Sequence, residues 1–317
     1  GRSPGPLFRH RAYWLVVMLY AASILTYPIA LTAFIVFSIL DVWPLHRLQP
    51  FRPGSWSRRA RLVWLEKLPL ALISLAALVP NAWGRTHTAF FDAPASLAQF
   101  GILERTMQAL YVWAYYLGAL LRPVGLAPVY TRLVRFSPTD GPFIASAALV
   151  VGVTAVAILS RRRFPALLAA WLCYLALLVP FLGLFEHPHY TSDRYSYLAS
   201  VPWSALVALL LLWLWRGLGS AWFKATVIGL TFAASATLGL LAFRQAGIWR
   251  NTVTLFTHTL MELGTDPYAE DIWWRLGHFL LLRGRYAEAV GRFDQTLLVS
   301  PDDPRALALK GMALAAA

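Results

Sequence analysis

Long apolar runs dominate this sequence and constrain its fold more than any other feature. Hydrophobic residues make up 58% of the chain and charged residues only 14%. A membrane span needs about 20 apolar residues, with a usual minimum near 17. Seven segments qualify, and they are 12–41, 68–84, 103–122, 142–160, 165–185, 198–215 and 222–243. Because backbone groups in a bilayer must be hydrogen-bonded internally, we predict an all-α fold whose first part is a polytopic bundle of about 7–8 segments.

The first apolar segment is interrupted by Tyr27-Pro28. A proline within a helix kinks it, whereas a proline at the start of a helix is well tolerated. Residues 12–41 therefore form either one long kinked helix or a hairpin of two short helices. Basic residues flank both ends, which favours the hairpin because basic loops stay on the cytoplasmic face.

The basic charge of the chain belongs to its membrane part. Residues 1–243 hold 20 Lys and Arg against 7 Asp and Glu, whereas residues 244–317 hold 8 of each. The basic residues lie in short loops between apolar runs, a pattern typical of contact with membrane lipids. Nucleic-acid binding would instead gather them on a soluble face, so we expect no nucleic-acid partner. The lone Cys173 excludes an internal disulfide bond.

The positions of the basic loops predict the topology. Loops 46–67 and 161–163 should both be cytoplasmic, yet three apolar segments separate them. We therefore interpret 103–122, which carries charged and amide residues at its start and a Trp/Tyr cluster, as re-entrant or interfacial. Segment 165–185 then runs outward, which places residues 186–197 and the C-terminal tail on the outer face.

The tail follows a different pattern and is predicted to be a separate domain, 244–317, after a membrane domain at 1–243. Within residues 270–303 the large and small residues occur at the positions of a tetratricopeptide repeat (TPR), a pair of antiparallel helices. Gly277 would permit close helix approach and Pro301 would end the second helix. The other matching positions are Trp273, Leu276, Gly284, Tyr286, Ala289, Phe293 and Leu297.

Residues 186–197 (EHPHYTSDRYSY) form a polar loop between two apolar segments. The loop contains two carboxylates, two histidines, an arginine and three tyrosines. Ionisable groups beside a membrane core are costly, so the default interpretation is a functional site. A bland alternative is an interfacial cap, in which Asp193 and Arg194 pair locally and the tyrosines anchor the interface.

Several stretches, in order along the chain, resemble one family. They are LTAFIVFSILDVWPL (31–45), EKLP (66–69), YLG (116–118), LRP (121–123), SDRYSYL (192–198) and FRQAGIWR (243–250). Their series is similar to the GT-C-type membrane glycosyltransferases with C-terminal TPRs, bacterial relatives of the transmembrane-and-TPR O-mannosyltransferases. The resemblance implies an all-helical enzyme of the bacterial inner membrane, with the TPR on the periplasmic face. It also implies a polyprenyl-phosphate-linked sugar as the donor substrate.

The resemblance also places the family's catalytic acid in a first outer loop that precedes the matched part. We therefore expect this chain to be the C-terminal portion of a longer protein, and we assign no catalytic residue. Tyr27 stands where a lysine is common in the family. The position of the catalytic acid and the replacement at Tyr27 both weigh against catalysis by this chain alone.

Within the polar loop, Arg194 is the leading candidate for the donor phosphate because a guanidinium fork matches phosphate oxygens. Asp193 would orient that arginine or bind a sugar hydroxyl. Tyr195 and Tyr197 would stack on sugar or lie at the headgroup level. Secondary candidates are Glu186, His187, His189 and Arg122. No metal or other cofactor is assigned, and a divalent metal at the spacing of His187 and His189 stays open.

Two hypotheses for function follow from these residues. The first is a glycosyltransferase module whose outer TPR presents an acceptor protein. The second is a non-catalytic TPR-bearing membrane subunit that docks onto a larger complex. A transporter would need ionisable groups at mid-membrane depth, and we find none. Glu66 and Lys67 are interpreted as a local pair at the start of a span, and Asp41 as a residue at a helix end.

Overall fold

The structure is a computed structural model of the 317-residue chain. It describes residues 7–48, 57–87, 95–217, 219–264, 266 and 269–317. In these ranges the chain is all-helical, as predicted, while the predicted number of membrane segments and the TPR domain stay predictions. Besides the helices, these ranges contain an isolated antiparallel β-bridge between Tyr130 and Thr191.

The described part of the chain contains twelve α-helices, joined by turns and four short 3₁₀ helices. The α-helices are α1 (Arg11–Thr26), α2 (Ala33–Val42), α3 (Arg58–His87), α4 (Ile102–Leu121), α5 (Gly141–Leu159), α6 (Pro165–Leu178), α7 (Ser196–Gly217), α8 (Ala221–Ile248), α9 (Thr252–Leu263), α10 (Glu270–Leu282), α11 (Tyr286–Val299) and α12 (Pro304–Ala316).

Four helical stretches in the described residues are long and apolar enough to cross a membrane, which indicates a membrane protein. They are Ala60–Pro80, Gly141–Leu159, Asp193–Gly217 and Ala221–Ile248. Three further apolar helices are shorter, at Arg11–Thr26, Ala30–Val42 and Pro165–Phe181. Helix α4, in segment 103–122, has the length but is less apolar than these helices.

The first apolar segment forms two helices rather than one. The backbone at Tyr27 is extended, and a short 3₁₀ helix, Pro28–Thr32, leads into α2. The chain folds back there, because the ring of Tyr20 on α1 lies 6.5 Å from that of Phe37 on α2. The Tyr20 hydroxyl also meets Ser74 Oγ of α3 at 2.6 Å. We call α1 and α2 together the hairpin.

Contacts divide the chain into two compact units. The first unit comprises Gly1–Gly118, Ser137–His187 and Tyr195–Leu214, and the second comprises Ala119–Phe136, Pro188–Arg194 and Trp215–Ala317. The predicted domain boundary at 243–244 stays a prediction.

The first unit has an aromatic core where α6 meets α4 and α7. Trp171 and Tyr174 of α6 are fully buried and stack with their centroids 5.3 Å apart. Trp203 of α7 meets Trp171 edge-on at 6.1 Å. The Tyr174 hydroxyl donates to the backbone oxygen of Trp113 at 2.5 Å. These contacts fix α6 against its neighbours through polar as well as apolar groups.

In the second unit, α10 and α11 form a tight helical pair. The turn between them contains Gly284 with φ +71°, a conformation that favours glycine. Gly277 allows close approach, because a Cβ at this position would lie 2.8 Å from Cε1 of the buried Phe293. The guanidinium of Arg292 lies over the Trp273 ring, with its Cζ 5.2 Å from the ring centre. This packing agrees with the close approach expected at Gly277.

The other residues that the repeat pattern singled out lie in the same region. Leu276 and Ala289 are buried in its core. Tyr286 begins α11, and Pro301 lies in the turn that follows this helix. Helix α12 then joins α11 through an ion pair between Lys310 and Asp294 at 2.6 Å.

Candidate functional site

The polar loop ends in a short 3₁₀ helix, Asp193–Tyr195, which leads into α7. Its residues belong to both units. Glu186, His187, Tyr195 and Tyr197 lie in the first unit, whereas His189, Asp193 and Arg194 lie in the second. The two parts are therefore described in turn.

In the first unit, Arg105 at the start of α4 holds the backbone that precedes the loop. Its Nε donates to the Phe100 oxygen at 2.9 Å, and Nη2 donates to the Ala95 oxygen at 2.6 Å. Nη1 donates to the Leu184 oxygen. The guanidinium also faces the rings of Phe100 and Phe185, at 5.1 and 5.8 Å. Arg105, which the sequence analysis did not select, thus acts as a structural anchor.

His187 follows this anchored backbone. Its ring stacks on that of Phe100, with a centroid separation of 4.6 Å and an angle of 10°. Burial lowers the pKa of His187, which favours the neutral imidazole near pH 7. Gln108, fully buried, donates to the Leu182 and Gly183 oxygens at 3.0 and 2.8 Å and fixes the preceding turn. His187 is thus a partly buried ring held against Phe100.

The two candidate tyrosines have different surroundings. The ring of Tyr195 stacks on Phe181 at 4.1 Å and 11°, and Phe181 also stacks on Tyr27 at 6.3 Å and 21°. Tyr197 is 79% exposed in the first turn of α7. Tyr27 therefore belongs to an aromatic stack with Tyr195.

An apolar groove of 570 Å³ lies in the same unit between the hairpin, α6 and α7. Its wall on α6 is formed mostly by small residues, which are Ala166, Ala169, Ala170 and the chain's single cysteine, Cys173. The remaining lining residues are Val16, Leu19, Tyr20, Ser23, Ala30, Ala33, Val36, Phe37, Leu40, Trp43, Leu177, Leu198, Val201, Pro202, Ala205, Leu206 and Leu209.

The dimensions of the groove match a hydrocarbon chain. Its lining extends along α7 from Leu198 to Leu209, a helical length of about 17 Å at 1.5 Å per residue. This length is about half of the ~30 Å hydrocarbon core of a bilayer. Small side chains on one wall leave width, and nearly all lining atoms are apolar. The groove therefore suits an apolar chain and offers almost nothing to a polar ligand.

In the second unit, the carboxylate of Asp193 anchors a neighbouring loop. Its Oδ2 accepts hydrogen bonds from the Tyr130 hydroxyl at 2.7 Å and from the Ala127 amide at 2.8 Å. The Tyr130 amide donates in turn to the Thr191 oxygen at 3.1 Å. Asp193 thus has a structural role within its own unit. Tyr130, which supplies the partner hydroxyl, lies 63 residues away and was not singled out from the sequence.

The same loop is held from α8 and α9. The Leu126 oxygen accepts from Gln245 Nε2 at 2.9 Å and from His258 Nε2 at 3.1 Å. Gly125 has φ +67°, and a Cβ there would lie 2.8 Å from Oε2 of Glu262. The loop therefore requires glycine at this position, for both conformation and space.

The other selected residues differ in exposure. Arg194 and Arg122 are exposed, Glu186 is half-buried and His189 is buried. Among the described residues, no group of three or more His, Cys, Asp or Glu side chains is arranged to hold a metal ion. The site in the first unit is thus an apolar groove together with an aromatic stack of Tyr27, Phe181 and Tyr195.

A cluster of buried charges corrects the predicted pairing of Glu66 with Lys67. Lys67 Nζ lies 2.5 Å from Asp41 Oδ2, and Glu66 Oε2 lies 2.5 Å from Arg47 Nη2. Adjacent residues on a helix point about 100° apart, so each finds its own partner. Burial would lower the pKa of Arg47, but hydrogen bonds with Glu66 and Asp41 raise it on balance.

Comparison of the chain with protein-family models, with curated proteins and with solved structures finds no significant match.

Proposed function

We propose that this chain is the donor-binding module of a membrane glycosyltransferase that uses a polyprenyl-phosphate-linked sugar. The reaction would break the bond between the sugar's anomeric carbon and the phosphate oxygen and join that carbon to an acceptor oxygen. A base would take the acceptor proton. We assign no base here.

The apolar groove is the observation that carries this proposal. A polyprenyl chain is a long, flexible hydrocarbon, and the groove offers one apolar channel about as long as a single leaflet is thick. Van der Waals contact with Ala169, Cys173 and Leu206 would hold the chain along its length. The aromatic rings of Tyr27, Phe181 and Tyr195 belong to the same unit and suit the headgroup level.

Arg194 is the proposed phosphate ligand. Its side chain is exposed, and Arg194 directly precedes Tyr195 in the chain. A guanidinium would form a charge-assisted, two-pronged hydrogen bond with the phosphate, which must be neutralised near a membrane. Asp193 is better suited to holding the loop at Tyr130 and Ala127 than to binding a sugar hydroxyl.

The helix lengths support a topology in which the polar loop faces outward. If α4 lies at the interface and α3 and α5 cross, the loop 161–163 and the part of loop 46–67 that precedes the span at Ala60 are both cytoplasmic. The apolar helix Pro165–Phe181 is 17 residues long, near the usual minimum for a span. With α6 crossing, and with the hairpin counted as two segments, the bundle has seven segments besides the interfacial α4. The localisation would be a bacterial inner membrane, with the tail on the periplasmic face.

The C-terminal helices are proposed to present the acceptor protein. The residue pattern of α10 and α11, and the tight packing of Gly277 against Phe293, support the interpretation of this pair as a TPR. Arrays of such helical pairs form concave surfaces that suit extended peptides. Acceptor segments held there would be brought to the outer membrane face, where the polar loop is proposed to lie.

Binding of a polyprenyl phosphate to the full chain in lipid nanodiscs tests this function. We expect the wild type to bind and Arg194→Ala to bind about 10- to 100-fold more weakly, the loss expected for a charge-assisted phosphate contact. Arg216→Ala, which removes an arginine from the opposite end of α7, serves as the matched control. Equal binding by wild type and Arg194→Ala would remove Arg194 from the site, and absence of binding by the wild type would contradict the function.

A further inference from the structure

We propose that Asp41, Arg47, Glu66 and Lys67 form an ionic clamp that positions the hairpin as one wall of the apolar groove. They would be positioning residues, since none of them lines the groove. The inference rests on the proposed function only in assigning a lipid chain to the groove. The position of the wall is a property of the protein itself and can be measured without any ligand.

The four charges alternate in sign along a continuous line of contacts. Lys67 contacts Asp41, Asp41 Oδ1 accepts from Arg47 Nη1 at 2.9 Å, and Arg47 contacts Glu66. The Asp41 and Glu66 side chains are each only 2% exposed, while Lys67 is 11% and Arg47 is 23% exposed. Arg47 is therefore the bridge, because its guanidinium serves both carboxylates at once.

The clamp joins both legs of the hairpin to α3. From the chain before α1, the Leu7 amide donates to Glu66 Oε1 at 2.7 Å, and Tyr13 of α1 donates to the Glu66 backbone oxygen at 2.7 Å. From the end of α2 come Asp41 and the loop that carries Arg47. The amide of Arg47 also donates to the Asp41 oxygen at 2.7 Å, which turns this loop back over α2. Glu66 thus contacts α1 and the loop that follows α2.

The same legs supply one wall of the groove. Val16, Leu19 and Tyr20 of α1 line it, and so do Leu40 and Trp43, on either side of Asp41 in the chain. Because Asp41 is fixed between these two lining residues, displacement of its side chain from Lys67 and Arg47 would move the wall. The opposite wall on α6 contains Cys173, whose access to solvent therefore reports on the hairpin.

The energetics favour positioning over stabilisation as the role of this cluster. Glu66 and Lys67 lie about 9 Å inside the apolar stretch that begins at Ala60, where charges are costly. Buried ion pairs can often be replaced by apolar residues without loss of stability, whereas removal of one partner leaves a stranded charge. A net-neutral cluster that joins two legs to a third helix is thus suited to fixing one arrangement of the three.

The rate at which a maleimide alkylates Cys173 in lipid nanodiscs tests the clamp. Glu66→Gln strands a buried positive charge, so we expect the hairpin to open and the rate to rise at least about tenfold. Arg47→Lys keeps the charge but loses the two-pronged bridge, so we expect a smaller rise of about threefold. Glu66→Gln combined with Arg47→Met restores neutrality but lacks the bridge, so we expect a stably folded protein whose rate stays at least about threefold above wild type.

Cys173→Ala gives the background, because the chain has no other cysteine. Wild-type rates in folded Glu66→Gln and Arg47→Lys would overturn the clamp. A neutral double variant with the wild-type rate would also overturn it, since the hairpin would then keep its position without the Arg47–Glu66 bridge. Should Glu66→Gln fail to fold, the Arg47→Lys rate decides alone.

A second arm separates this inference from the proposed function. Polyprenyl phosphate should slow alkylation in the wild type and give less protection in Arg47→Lys. A wild-type chain that is not protected would contradict the lipid assignment, while the rates without lipid would still judge the clamp.

Discussion

At the scale of single residues, Gly277 and Gly125 are two positions where the surroundings disfavour any side chain. A Cβ on either would meet another side chain at 2.8 Å. At Gly277 the obstacle is a fully buried ring, and at Gly125 it is the end of a flexible Glu262 side chain on a backbone with positive φ. The first position is therefore limited by packing, the second mainly by conformation.

Gly277→Ala tests the packing argument. The methyl group would overlap the Phe293 ring, so we expect a loss of about 1–3 kcal/mol in local stability. Hydrogen exchange of peptides from α10 and α11, measured by mass spectrometry on the full chain, would detect it. Gly291→Ala is the matched control, because a Cβ there meets nothing within 4 Å. This control should stabilise α11 by about 0.5–1 kcal/mol, and equal exchange in both variants would contradict the packing account.

Asp193→Ala tests whether this acid holds the loop rather than the donor. The change removes a charged acceptor from the Tyr130 hydroxyl and the Ala127 amide, which are left with the Gly125 oxygen and the Tyr130 hydroxyl oxygen as acceptors, at a cost of about 1–2 kcal/mol. We expect faster hydrogen exchange in residues 122–136. Asp302→Ala, which removes an exposed acid, should leave that exchange unchanged. Unchanged exchange in Asp193→Ala would return the residue to the list of donor-binding candidates.

At the scale of elements, periodicity and composition predicted most helices but not how they end or pair. The apolar runs marked α3, α5, α7 and α8, and the TPR pattern marked α10 and α11. The pairing of Glu66 with Arg47 was missed, because a contact across 19 residues depends on how the chain turns after α2. The Asp193–Tyr130 contact was missed for the same reason, and such partners leave no periodic signal.

The N-terminus of α12 gives a prediction on pH. Asp303 accepts from the amides of Arg305 and Ala306 at 2.8 and 3.3 Å. The hydrogen bond with the Arg305 side chain lowers the pKa of Asp303 below its ordinary value. The ionised cap therefore stabilises α12 above the unfolded pKa of about 3.9 and loses this effect as pH falls through the lower folded value.

We thus expect exchange in α12 to accelerate between about pH 4 and pH 2, when the cap is protonated. Asp303→Asn keeps a capping oxygen without the charge, so its exchange should depend less on pH in this range. Amide exchange rates must first be corrected for their intrinsic pH dependence. A wild type and an Asn variant with the same corrected profile would show that the carboxylate does not stabilise the helix.

At the scale of the whole molecule, the proposed function depends on which helices cross the membrane. Composition alone identified a membrane protein, but two basic loops separated by three apolar segments left the topology open. The lower hydropathy of α4 offers a physical solution, because an interfacial helix between α3 and α5 leaves both loops cytoplasmic. The sidedness of the loops stays a prediction.

Single cysteines introduced into a Cys173→Ala background test this topology. A cysteine at Arg162 should react only with an impermeant maleimide supplied from the cytoplasmic side. One at Gly311, in α12, should react only from the opposite side. The two single-cysteine proteins must be reconstituted in the same way, in vesicles of known orientation. Labelling of both positions from one side would contradict the proposed topology.

The most direct measurement for the central claim is protection of Cys173 by the proposed lipid. This cysteine lies in the wall of the groove, and the chain has no other. With the full chain in nanodiscs, a polyprenyl phosphate should slow alkylation of Cys173 by about tenfold when present at ten times its Kd. Inorganic phosphate, which lacks the polyprenyl tail, should give no protection. Alkylation at the same rate with and without the polyprenyl phosphate would show that the groove does not bind the donor lipid.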